Sequence, residues 1–420
     1  MANLRAGFGR ADITPRLGCR LTGYSNRQGG ATGIHDPLLA RALVLESGGE
    51  RFALIACEML YTSVPTTAAV REAVQRRLGI APDNVFIAAI HTHSGPDDRE
   101  ADNWPRPIGE IIADAVEMAV ANLQPARIGS GFGQLLGHSI NRRWLDRPVD
   151  PAVGIIRVDD RAGQPLGLVC NFACHGVVMG SDNLLISADW PGQACRNLEA
   201  EGFGEVMYYQ GGCAEVNPLV AGVRARLESG HPVVAIGDIG VWYGDRDDPQ
   251  AWNIGDRGGG TFEEVAELAA AFAPEAARVA RTIRTTEVER LWSKRLKVDA
   301  TRPADELVMP VPEGRSLPSI ADADGKVWAE VMLFGMDGIV LVGHPGEVFS
   351  ETSVRTRTLL RLQGYHTPWL VSYANGSLGY LPEPEAFDEG GYEPLSPTLR
   401  GITRHYQARA WEAITAALGD

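Results

Sequence analysis

The stretch Asn84-Val85-Phe86-Ile87-Ala88-Ala89-Ile90-His91-Thr92-His93-Ser94-Gly95-Pro96 constrains this chain more than any other. Its apolar run is too short for a helix and rich in β-branched and aromatic residues, which predicts a buried strand. Ser-Gly-Pro then turns the chain away. Side chains at i and i+2 of a strand share a face, so His91 and His93 look into one pocket. In layered α/β folds ligands bind at such strand ends. Two histidines that merely cap a strand edge would give the same letters, so the other apolar runs decide.

Those runs end in a similar way. Leu166-Gly167-Leu168-Val169-Cys170-Asn171-Phe172-Ala173-Cys174 leads to His175, and 339–343 leads to His344-Pro345-Gly346-Glu347. A last strand at 369–373 runs on to Tyr380. Between them, the Gly48-Gly49 turn joins runs 38–46 and 51–61 as a hairpin, and 327–334 with 339–343 forms another. Helical periodicity covers 66–78, 108–123, 262–284, 348–362 and 399–418, and Asp189 is placed to cap a helix with Pro191 in its first turn. No repeat or linker divides the chain. The pattern predicts a single α/β domain over 1–420, with a layered mixed β-sheet core, flanking helices, and an insertion or arm at 221–260.

Composition narrows the partner. A net charge of −14 over 420 residues argues against nucleic acid or an anionic membrane and favours a small-molecule ligand. The first residues hold no apolar leader, and no run approaches the roughly 18 apolar residues that span a bilayer; a cytoplasmic protein is expected, with homo-oligomerisation left open. The six cysteines are scattered, several within apolar strands, as reduced structural thiols would be. After His-Thr-His, residues 97–107 form a polar loop or a lid; as a lid it would bring Trp104 to the substrate.

Imidazoles with one carboxylate make the usual catalytic zinc set, with a position left for water whose pKa falls to about 7. Buried histidines that only satisfy hydrogen bonds are the competing reading. The ordered set His91-Thr92-His93-Ser94-Gly95-Pro96, Cys174-His175-Gly176, Pro345-Gly346-Glu347 and Tyr380, with Tyr392-Glu393 twelve positions on, resembles the neutral/alkaline ceramidase family from Asp12-Ile13-Thr14-Pro15 to about Tyr392. That family is zinc-dependent and cleaves the amide of N-acylsphingosine.

The resemblance implies one zinc ion held by His91, His175, Glu347 and Tyr380. It implies a His93 that either supports the metal ligands or polarises the substrate, a hydrogen-bond donor in Tyr392 and an active-site Arg142. Where the family has a proposed serine nucleophile before a proline, this chain has Asn217-Pro218. An amide cannot attack a carbonyl, so Asn217 is left to hold substrate or donate to an oxyanion. Glu215 is a candidate general base, with helix capping or an ion pair as the alternative. The chain leaves no room for the family's C-terminal β-sandwich. With the missing leader, this points to a soluble N-acyl amide rather than ceramide in a membrane. The expected protein is therefore a metal-dependent amidohydrolase working through a zinc-activated water. A zinc lactonase or esterase and a non-catalytic ligand-binding homologue are the alternatives.

Overall fold

The computed structural model describes residues 4–144, 146–228, 260–306, 317 and 319–419. Most of the expected insertion at 221–260 therefore lies outside the described residues. The main sheet has eight strands: β1 (Arg5–Asp12), β2 (Leu39–Ser47), β3 (Glu50–Cys57), β4 (Val85–Ala89), β5 (Gln124–Gln134), β6 (Ala152–Asp160), β7 (Pro165–Phe172) and β8 (Glu205–Gln210). They lie in the order β8-β7-β6-β5-β1-β2-β3-β4. A second sheet holds β9 (Leu291–Asp299), β10 (Trp328–Met336), β11 (Ile339–Gly343) and β12 (Thr367–Val371), in that order. Both expected hairpins are present, β2 with β3 and β10 with β11.

Four layers result. Helices α1 (Val64–Leu78), α2 (Ile108–Ala121), α3 (Asp189–Ala200) and α4 (Phe262–Thr282) cover one face of the main sheet. The second sheet covers the other, where Phe52, Leu54 and Phe86 meet Met332, Phe334, Leu341 and Trp369. Three more helices follow, α5 (Ser350–Leu362), α6 (Tyr392–Arg400) and α7 (Tyr406–Gly419); α5 and α7 pack into the outer core of the second sheet, and α6 packs beside Tyr380. This stacking explains the unbroken apolar strands. In β3, Ala53, Ile55 and Cys57 face the helices, while Phe52, Leu54 and Ala56 face the second sheet. A strand buried on both faces needs no polar alternation.

Three pairs of parallel strands position the site: β3 with β4, β7 with β8, and β11 with β12. Each pair is joined by a helix, so the later strand returns in the same direction and both C-terminal ends meet at one edge. There the sheets are stitched together. Ala89 N–H donates to Tyr373 O (3.2 Å) and Ser372 N–H to Gln210 O (2.9 Å).

Two local expectations are corrected. The C-terminal helix begins at Tyr406 rather than 399, because Gly401 closes α6 in the left-handed conformation. Asp189 does not cap α3 in the expected way. It opens the helix at φ 54°, and its buried carboxylate accepts from the backbone of Val178, Met179 and Trp190, pinning the turn after His175.

Candidate metal centre

The chain leaves β4 at Ala89 and places His91 two residues on, in the left-handed region at φ 64°. Its Nδ1 lies 2.7 Å from Leu60 O. A carbonyl can only accept, so Nδ1 carries the proton and Nε2 presents a lone pair. His175, three residues past the end of β7, is held in the same way, with Nδ1 3.1 Å from Val216 O. Its Nε2 is buried and hydrogen-bonded to nothing. Both nitrogens converge on Glu347 Oε2, at 3.5 Å from His91 and 3.4 Å from His175.

His93 completes the cluster, with Nε2 3.1 Å from His91 Nε2 and a buried Nδ1 that has no partner. A Cβ on Gly23 (φ 117°) would fall 2.4 Å from that Nδ1, so a glycine there leaves the ring its room. The donor nitrogens of His91, His93 and His175 all lie within 4.8 Å of one another. Among the described residues they form a group that could hold a metal ion.

The geometry fits such an ion. Donors about 2.0–2.1 Å from a tetrahedral zinc stand roughly 3.3 Å apart, close to the 3.5 and 3.4 Å that part His91 and His175 from Glu347. The electrostatics fit as well. Burial and the neighbouring His91 and His175 depress the pKa of His93 well below its ordinary value. Burial and the charge of Arg142 bring His175 down to about 4. Burial would raise Glu347, but His91 and His175 outweigh it and hold the carboxyl well below the usual range. A neutral His175 beside an ionised carboxylate gives the protonation states a metal requires.

Tyr380 is the register partner of Glu347 in a two-residue parallel bridge. Its hydroxyl accepts from Arg142 Nη2 (3.0 Å), and its ring meets Tyr392 edge-on at 5.3 Å. Arg142 is fully buried. It donates through Nε to Glu393 Oε1 (2.9 Å) and through Nη1 to Asn217 Oδ1 (3.4 Å). The expected site residues His91, His93, His175, Glu347, Tyr380, Arg142, Asn217 and Tyr392 therefore form one connected cluster.

Two expected residues do not join it through their side chains. Trp104 packs in the core beneath the helices and donates its indole N–H to Ile13 O (2.8 Å), so the loop is pinned and the ring is core, not a substrate contact. The Glu215 carboxylate accepts from the backbone N–H (2.9 Å) and the hydroxyl of Ser350, at the start of α5. Its backbone carbonyl does reach the site, accepting from Arg142 N–H at 2.7 Å.

Two further contributors were given no role in the sequence reading. Tyr373 stacks on His91 (3.9 Å between centroids) and donates to Glu347 Oε2 (3.4 Å). It too ends a core strand, which was the available signal. Glu393 receives both Arg142 and Arg143.

The model of the N-terminal region of neutral/alkaline non-lysosomal ceramidases matches residues 4–223, more than half of the chain. The chain belongs to this family. The neutral ceramidase of Oryza sativa subsp. japonica is 33% identical over 223 residues, 46% of this chain and 28% of that protein. The neutral ceramidase of Mycobacterium tuberculosis is 32% identical over 232 residues, 47% of this chain and 36% of that protein. The matched part thus spans well under half of those ceramidases' own length. The crystal structure of neutral ceramidase from Pseudomonas aeruginosa superposes over 98% of this chain and 73% of its own, with a TM-score of 0.76 and 22% identity, a likeness of fold. The ceramidase fold thus extends past the matched sequence to Glu347 and Tyr380. No helix among the described residues is long and apolar enough to cross a membrane.

Proposed function

We propose that this member of the ceramidase family is a zinc-dependent hydrolase of the amide bond in a soluble N-acyl substrate. One observation carries the reading: the imidazoles of His91 and His175, each locked by a backbone carbonyl, aim bare Nε2 atoms at one carboxylate oxygen of Glu347. His91, His175 and Glu347 would hold a single zinc ion, with Tyr380 beside Glu347 as the fourth ligand. Zinc bound there would polarise the scissile carbonyl and lower the pKa of water to about 7.

The chain's own residues supply the rest. Arg142, permanently charged and out of water, places a hydrogen-bond donor where negative charge develops on the carbonyl oxygen. Asn217 and Tyr392 flank that position as polar contacts for substrate. His93 turns Nε2, not the Nδ1 packed against Gly23, toward the cluster, so Nε2 is the atom placed to pass a proton from water to the leaving amine. Asn217 cannot form an acyl intermediate, which leaves direct attack by water. With its carboxylate spent on Ser350, Glu215 fits a positioning role, steadying Arg142 through its backbone. The net charge of −14 supports a substrate met in solution rather than on an anionic bilayer.

Elemental emission on the purified protein should find one zinc per chain, and His91→Ala should lose metal and amide hydrolysis together. Full zinc stoichiometry in that variant would remove the assignment. A panel of N-acyl amides, esters and lactones, with and without chelator, separates amidase from esterase.

A further inference from the structure

The buried arginines of this acidic protein are generally neutralised. Arg41 meets Glu58, Arg71 meets Glu330, and Arg142 and Arg143 share Glu393. Arg400, the half-buried last residue of α6, has no such partner among the described residues. Its Nε is buried with no acceptor, and among the described residues no carboxylate lies within ion-pair distance of it. Its side chain crosses Gly379, where an added Cβ would stand 3.4 Å from Nε and 3.7 Å from Cδ. Gly379 precedes Tyr380 in the chain, and its carbonyl accepts from Glu347 N–H (2.9 Å). The guanidinium thus lies against the strand pair that presents Glu347 and Tyr380.

Burial lowers the pKa of Arg400 from the ordinary guanidinium value, and the charged groups near enough to act on it are Tyr61, Arg99 and Glu347. Arg99 is already spent on Asp97, with Nη2 2.6 Å and Nε 2.9 Å from its carboxylate oxygens. Tyr61 adjoins Leu60, whose carbonyl orients His91. One cation without a counter-ion therefore stands beside the metal cluster. A guanidinium cannot shed its charge, and its buried Nε N–H, left without an acceptor, costs stability unless an anion visits it.

We infer that Arg400 is a specificity residue that receives an anionic group of the substrate, so that the natural amide carries a carboxylate and is not a neutral lipid amide. This rests on the amide-hydrolase reading above and adds the substrate class. A carboxylate has the planar, two-oxygen form that the guanidinium fork matches.

The test compares three amides with the zinc-loaded full chain: N-octanoylglycine (carboxylate on the amine half), succinic acid mono-N-ethylamide (carboxylate on the acyl half) and neutral N-octanoylethanolamine. One carboxylate-bearing amide should exceed the neutral one by about tenfold or more in kcat/KM, through KM. Arg400→Met should bring that ratio close to one, and Arg400→Lys should keep part of it. A wild type that favours neither anion, or a Met variant that lowers all three in equal proportion, overturns the inference. Binding of N-octanoylglycine and N-octanoylethanolamine to the zinc-free full chain is measured by calorimetry alongside, so the carboxylate cannot simply ligate the metal. If none of the three is cleaved, the amide reading falls for them and binding decides Arg400. Tighter binding of the anion that disappears in Arg400→Met supports the inference, and equal binding removes it.

Discussion

Two buried polar clusters stand at strand ends in this molecule, and they are solved in opposite ways. Around Glu58, just past the end of β3, the protein supplies its own partners. Oε2 accepts from Leu39 N–H (2.8 Å), Oε1 from Arg41 Nε (3.1 Å), and Arg41 also reaches Glu199. Around Glu347 it withholds them. Two imidazoles with fixed tautomers turn lone pairs toward the same oxygen, and His175 Nε2 and His93 Nδ1 have no hydrogen-bond partner. A buried polar atom left unsatisfied costs stability, and folded proteins leave few of them. The Glu58 cluster is complete without help, while the histidine cluster leaves donor atoms of the kind that could hold an ion.

The contrast predicts opposite mutational signatures, the larger in stability at Glu58. Glu58→Leu leaves Arg41 to Glu199 and Glu205, takes the acceptor from Leu39 N–H, and should cost about 3 kcal/mol in urea unfolding of the zinc-free protein, while folded molecules keep their zinc. Should that variant fail to fold, Glu58→Gln serves as the milder probe. Glu347→Gln should do the reverse. Stability of the zinc-free protein should fall by less than at Glu58, because the amide keeps the shape and can still accept from Tyr373, and only the attraction of the nearby imidazoles is given up. Zinc affinity should fall at least about 100-fold, since removing even an outer partner of a ligand costs 10–100-fold. Zinc competition with a chromophoric chelator, read beside the urea midpoint, checks both. Equal losses of stability in the two variants would erase the distinction.

The sequence carried the strand ends well and their surroundings poorly. His91, His175 and Glu347 each follow a short apolar run, so the rule placing ligands at strand ends could find them. The four-layer stack was not legible. A strand such as β3, apolar at successive positions, does not say that a second sheet rather than helices covers its other face. Trp104 misled because a single aromatic in a polar loop looks like a lid, until its indole finds the carbonyl of Ile13. The carbonyls of Leu60 and Val216, which set both tautomers, have no side-chain signature at all. Arg400 belongs to no motif, and what marks it is the absence of a partner, which only three dimensions reveal.

Glu215 falls between the two clusters and gives the smallest effect. It is satisfied by Ser350 but not by a cation, and burial outweighs those hydrogen bonds to push its carboxyl up to about 7. A folded-state pKa above the unfolded value of about 4.3 means the native state binds the extra proton. The associated stability is complete below pH 4.3 and is lost as pH rises through 7. The glutamine of Glu215→Gln mimics the protonated form and has no such dependence. Wild type should therefore lose on the order of 2–3 kcal/mol relative to Glu215→Gln between pH 4.5 and 7.5. Zinc-free protein is the material to use, so that metal release from the histidines does not enter. The buried Asp189, pushed up to about 6 by desolvation, contributes to both proteins and cancels in the difference. A difference that stays flat across this window would mean that Ser350 compensates the carboxylate in full, and Glu215 would then belong with the self-sufficient cluster.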